Sequence, residues 1–167
     1  MAEAEHGLPS TWGLSQFHTM DNVIPYLRIQ KCSDAGGCFS DTYKNMDGTP
    51  NTNLVDIDTS SSFPKFRLSN GVTLFTSHVN KDCIYPVPNN KSCLWIRVDL
   101  NADNPPNAQG VDLFGFYVTN EGVFPLDDSG HYGPVYCSKS RANYGNSSGI
   151  NCAYIIMQQG NMDYLHP

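Results

Sequence analysis

The densest set of oxygen-bearing side chains lies between residues 99 and 112, where Asp99, Asn101, Asp103, Asn104, Asn107, Gln109 and Asp112 share one segment with Pro105, Pro106 and Gly110. Carboxylates, amides and backbone carbonyls are the ligands of a hard cation such as Ca2+, which takes roughly six to eight of them, and acceptors at alternate positions of a turn can converge on one ion. The start of the segment resembles an EF-hand loop. It departs from that pattern at the sixth position, Asn104 in place of Gly, and at the twelfth, Gly110 where a bidentate Glu belongs. The expectation is a calcium loop of another kind, with Asp99, Asn101, Asp103, Asn107 and Asp112 as candidate ligands and Asp99, Asn101 and Asp112 foremost. The competing reading is an Asn- and Pro-rich turn whose side chains bond their own backbone, as Asx-turns do.

The charge pattern favours a cation in this segment. The chain has a net charge of −6, from 16 acidic and 10 basic residues. From Val98 to Ser138 there is no Lys or Arg, but there are six acids: Asp99, Asp103, Asp112, Glu121, Asp127 and Asp128. The remaining ten acids balance the ten bases. An acidic chain is poorly suited to nucleic acid, whose binding depends on Lys and Arg neutralising phosphates.

Other chemical motifs are weak. Gly145, Ser147 and Gly149 match the GxSxG nucleophile pattern, but that elbow needs a buried strand before it and a helix after it, whereas the preceding segment is polar and another strand is expected to follow. The five histidines, His6, His18, His78, His131 and His166, have no metal-ligand spacing. Asn90 with Ser92 and Asn146 with Ser148 have the form of glycosylation sequons, and no phosphate loop is present. The reading is therefore a protein that is not an enzyme.

The six cysteines fall as three close pairs, Cys32/Cys38, Cys83/Cys93 and Cys137/Cys152, none with the CxxC spacing of zinc or redox sites. Many pairings are formally possible. Pairing of neighbours is favoured because each pair brackets a segment rich in Gly, Pro, Asn or Ser, and disulfides imply an oxidising compartment. The chain opens without a signal-peptide pattern and contains no run of ~20 apolar residues able to cross a bilayer. A mature or shortened ectodomain is expected, with residues 1–9 as linker.

Several elements must position these groups. Behind a Ser10 or Thr11 cap, Leu14, Phe17, Met20, Ile24 and Leu27 recur at helical spacing, which predicts a helix over residues 10–31, kinked near Pro25. Residues 32–63 are rich in turn formers and read as a loop region with a short apolar stretch from Leu54 to Ile57. Residues 64–167 read as a sheet with C-terminal loops. Within them Asn70 and Gly71 form a hairpin signal, Leu94–Leu100 alternates, Leu113–Thr119 is an aromatic-rich apolar run, and Ala153–Met157 is expected as a final strand. The fold class expected is α+β: one N-terminal helix packed on an antiparallel sheet with long, disulfide-closed loops, in a single domain over residues 10–167.

Three stretches together resemble one family. Residues 26–32, followed by Gly37, Cys38 and Phe39, look like the end of a pilin helix entering a small disulfide ring. Residues 96–101 and 106–116 resemble the pattern "VD-N-G, PN, G-D-F-F". Residues 149–153 with 160–165 resemble a C-terminal signature. In order and spacing, over roughly residues 10–166, the chain resembles type IV pilin-like proteins, including type II secretion pseudopilins. The resemblance implies a structural subunit of an extracellular, cell-surface filament, whose leader is removed by a prepilin peptidase. A hydrophobic N-terminal half-helix, absent from this chain, would anchor the subunit in the inner membrane before assembly and then pack against other pilin subunits. It also implies calcium in the 99–112 loop, as in some pseudopilins. The alternative expectation is a minor pilin, adhesin or secretion pseudopilin that contacts a surface or ligand, with Tyr132, Tyr136 and Tyr144 around Cys137 as contact residues.

Overall fold

The computed structural model describes residues 29–32, 36–87, 90–126, 137 and 149–165. Strand is the dominant element. In chain order these are β1 (Ile29–Lys31), β2 (Thr42–Lys44), β3 (Pro50–Val55), β4 (Lys65–Leu68), β5 (Thr73–Ser77), β6 (Tyr85–Val87), β7 (Asn90–Asp99), β8 (Leu113–Thr119) and β9 (Gly122–Pro125), followed by helix α1 (Cys152–Gln159) and a 3-10 turn at Asp163–Leu165. One antiparallel sheet runs β1-β4-β5-β7-β8-β9, with β6 flanking the first part of the long β7, and β2-β3 form a separate ribbon.

The expected N-terminal helix on a sheet is overturned. Residues 29–31 pair antiparallel with β4, Ile29 opposite Leu68 and Lys31 opposite Phe66, and Cys32 N–H continues the ladder to Lys65 C=O at 2.9 Å. A sheet edge offers these backbone groups partners, and that outweighs a helical apolar spacing that ends at the Cys32 ring. The rest of the expected helix, with its stripe of Leu14, Phe17, Met20, Ile24 and Leu27, lies outside the described residues. The helix among the described residues is at the other end of the chain, where Ala153–Met157 was expected as strand. A short apolar run does not separate the two periods. Gly160 decides the outcome locally: at φ 71° it closes α1 in the left-handed region, its N–H donating to Ile156 C=O at 2.7 Å.

The 32–63 region contains two strands and covers one sheet face. Alternation along β7 places Trp95, Arg97 and Asp99 on that face, level with Ser77, Phe75 and Thr73 of β5 and Tyr117, Gly115 and Leu113 of β8. Phe39, Tyr43, Leu54 and Ile57 pack there on Phe75 and Leu113, and Phe39 meets Phe75 edge-on at 5.5 Å. Each such buried side chain contributes about 1.5–3 kcal/mol. The opposite face carries Phe66, Leu74, Ile96 and Val98, and at its β8 end α1 packs on Phe114 through Ala153 and Ile156. The disulfides join neighbours: Cys32–Cys38, Cys83–Cys93 and Cys137–Cys152.

Candidate functional sites

Strand β7 leads into both candidate sites. Its last residue, Asp99, is fully buried and begins the 99–112 loop. Asp99 accepts the Tyr43 hydroxyl on one oxygen and the Asn101 N–H on the other, the latter at 3.0 Å. Asp112, also buried, accepts Asn107 N–H at 2.8 Å and Ala108 N–H at 2.7 Å. Ala102 and Asn107 take left-handed backbone conformations at φ 60° and 51°, and the peptide between Pro105 and Pro106 is cis. The loop is docked on β2 by two backbone bonds of 2.9 Å, Lys44 N–H to Asn107 C=O and Gln109 N–H to Lys44 C=O.

The structure thus brings Asp99, Asn101, Asn107 and Asp112 into one bonded loop and leaves Asp103 exposed, its carbonyl accepting Asn107 Nδ2 at 3.3 Å. The charge is poorly compensated. Burial pushes the Asp99 carboxyl up to about 6, against the pull of its hydrogen bonds, and the nearby charge of Asp112 adds to the rise. Burial and then the Asp99 charge hold the Tyr43 hydroxyl far above its ordinary range. The Oδ1 atoms of Asn101 and Asn107 are buried and accept no hydrogen bond. Two orphaned amide oxygens and two buried carboxylates form a donor set suited to a hard cation, so the residues fit calcium in kind. No group of three or more His, Cys, Asp or Glu able to hold a metal occurs among the described residues. An ion here would therefore rely on Asn101, Asn107 and backbone carbonyls beside Asp99 and Asp112.

The second site lies on the same strand face and was missed by motif reading. A cleft of about 380 Å³ opens beside Trp95 and Arg97, bounded by His78, Tyr85, Asn53 and Gln109. The His78 and Trp95 rings are 4.4 Å apart and tilted by 30°, and Tyr85 meets Trp95 edge-on at 5.9 Å. His78 follows β5 at φ 50°, and its Nδ1 lies 3.3 Å from Ser77 Oγ. Desolvation, with the Arg97 charge, lowers the His78 pKa and favours the neutral ring. Arg97 donates to the buried Gln109 Oε1 at 2.7 Å, which fixes its guanidinium. Gly115 opposite Arg97 makes this packing possible: a Cβ there would stand 2.2 Å from Leu126 Cδ1 and 3.4 Å from Arg97 Cδ. The sequence signal was the alternation of β7, which separates Trp95 and Arg97 from the apolar positions.

The expected contact tyrosines Tyr132, Tyr136 and Tyr144 lie outside the described residues, as does Ser147. In comparisons with known proteins, no family model, curated sequence or solved structure matched the chain. Among the described residues no helix is long and apolar enough to cross a membrane.

Proposed function

We propose that the chain is a structural, non-catalytic subunit of an extracellular type IV pilin-like filament. It would join other copies through a hydrophobic N-terminal helix encoded upstream of residue 1, which holds the subunit in the inner membrane before assembly. The observation that carries this reading is the packing together of two of the three family-like stretches: residues 96–116 form the β7–loop–β8 centre of the sheet, and α1 packs on β8. The first stretch lends no support, since Ile29–Lys31 is strand and not the end of a helix. Three disulfides suit a protein working in an oxidising environment outside the cell.

The test is genetic and microscopic. In cells carrying the full gene, antibody to this domain should decorate filaments that shear from the surface, and deletion of the gene should remove them. A product found solely as free monomer, in cells whose filaments are unchanged, would sink the reading. The upstream coding sequence supplies a second check: a Gly-Phe-Thr-Leu-type cleavage site followed by ~20 apolar residues is expected.

Calcium belongs to the same proposal, held by Asp99, Asn101, Asn107 and Asp112 and bracing the β7–β8 connection against unfolding. After EDTA treatment, added Ca2+ should raise the melting midpoint by at least about 4 °C, because an ion that binds the folded loop stabilises it by mass action. An unchanged midpoint removes the ion from the account.

A further inference from the structure

The cleft beside Trp95 continues into a second hollow, and the filament role uses neither. The two, of about 380 and 240 Å³, share Phe63, Ser77 and His78 in their linings and so form one groove across the end of β5. The first hollow has an aromatic shelf. His78 stacks on the Trp95 indole at 4.4 Å, Tyr85 meets that indole edge-on, and the His78 and Tyr85 rings are 6.0 Å apart. The two outer rings are exposed, Tyr85 by 41%. His78 reaches the shelf in a left-handed backbone conformation at φ 50°, which side-chain-bearing residues rarely adopt and which gathers at ligand sites.

Each hollow also contains a buried polar atom with nothing to bond. In the first it is the Trp95 indole N–H; in the second it is the hydroxyl of Thr76, a side chain with no exposed surface. Neither has a partner among the described residues, whereas buried polar groups almost always have one. Beside them, Asn53 and Ser62 stand exposed in the two linings. This combination selects a ligand chemistry. The ligand must lay C–H surface on exposed rings, and its rim must both donate and accept, since an indole N–H only donates while hydroxyl and amide groups do both. A sugar ring has both properties, and two joined hollows suit two rings in sequence. We propose that the groove binds a neutral disaccharide unit of a glycan, one ring on the His78–Tyr85 shelf and the next beside Thr76. A hydroxyl of the first ring accepts from Trp95 Nε1, and one of the second bonds Thr76 Oγ1. Recognition needs no ion pair, and the site stands independently of the filament reading.

The test uses the whole chain with Trp12→Phe, which leaves Trp95 as the sole indole reporter. Cellobiose, maltose, lactose and N,N′-diacetylchitobiose are titrated to about 10 mM, enough to fill most of a site of ~1 mM affinity. Tryptophan fluorescence and the indole N–H resonance are read, with glucose, galactose, N-acetylglucosamine and benzyl alcohol as single-ring and aromatic controls. At least one disaccharide should give a saturable fluorescence change and shift the N–H resonance downfield as the indole gains an acceptor. It should bind at least about fivefold more tightly than its component sugars, the scale of one added hydrogen bond. Thr76→Val should abolish that preference and leave the affinity for the single sugar unchanged. Tyr85→Ala should weaken disaccharide binding about fivefold, the scale of one aromatic contact. Tyr85 is exposed, so this second variant holds the test if Thr76→Val fails to fold. No saturable response to any of the four disaccharides, equal affinity for single and double sugars, or a response to benzyl alcohol alone would each overturn the proposal.

Discussion

Two loops of this protein bury an aspartate to organise their backbone, and they differ in how the charge is met. In the first, Asp58 accepts the N–H groups of Gly37, Cys38 and Phe39, all within or beside the Cys32–Cys38 ring. The buried Lys65 ammonium donates to the Asp58 and Ser60 carbonyls at 2.9 and 2.7 Å, which brings a cation to the same turn. In the second, Asp99 and Asp112 also gather loop donors, yet each lies in the other's field and neither joins an ion pair among the described residues. The same device is therefore compensated in one place and left with excess negative charge in the other. Dependence on pH and on added cations should concentrate in the second loop.

The largest expected effect tests the first half of this contrast. Asp58→Ala strips three N–H donors of their acceptor and should destabilise the protein by about 3–4 kcal/mol in urea unfolding, the scale for breaking a buried charged network. Asp112→Ala removes two such bonds but also relieves repulsion on Asp99, so a smaller loss of about 2 kcal/mol is expected. Equal losses, or a larger one at Asp112, would break the comparison.

The next effect is a pH dependence with a defined sign. In EDTA, the folded state holds a proton on Asp99 until about pH 6, whereas the unfolded chain releases it near pH ~3.9. Between these values the folded state binds more protons, so stability is full at the acidic end and falls as pH rises through the folded pKa. The fall due to Asp99 should be on the order of 3 kcal/mol. Asp99→Asn should flatten that part of the profile, and an identical profile in the variant would refute the assignment.

The smallest effect sharpens the same point. Tyr43→Phe removes a hydroxyl that favours the charged form of Asp99, so the titration midpoint should move further upward. Its stability loss should be about 1 kcal/mol at neutral pH and less in acid, where Asp99 is protonated. A loss independent of pH would show that the hydroxyl does not act through the carboxylate.

Much of the sheet was legible, because local chemistry and tertiary pairing agree there. The Asn70-Gly71 signal becomes the β4–β5 turn, with Gly71 at φ 91° and Leu68 N–H bonded to Val72 C=O at 2.8 Å. The alternation at Leu94–Leu100 becomes β7, and the run at Leu113–Thr119 is β8. Two elements were misread for opposite reasons. Ile29–Lys31 continued a helical stripe but pairs with β4, a partner 35 or more residues away that periodicity does not see. Ala153–Met157 looked extended because it is short and apolar, while its length in the structure is set by Gly160. The 99–112 loop was legible as a cluster of oxygen donors. Which carboxylate takes which N–H depends on left-handed residues at Ala102 and Asn107, neither of which is a glycine. Of the cleft, only the shared face of Trp95 and Arg97 on β7 was legible, because Asn53, His78 and Gln109 are brought to it only by the fold.

The disulfides carry a consequence for how the chain matures. Their sequence separations are 6, 10 and 15, so each closes a loop inside its own neighbourhood. Short closures are entropically easy, and a thiol meets its partner before it meets a stranger. The chain can therefore be oxidised piecemeal, with little need for reshuffling by an isomerase. Because no bridge ties one remote strand to another, a reducing environment would loosen individual loops without cutting a brace across the sheet.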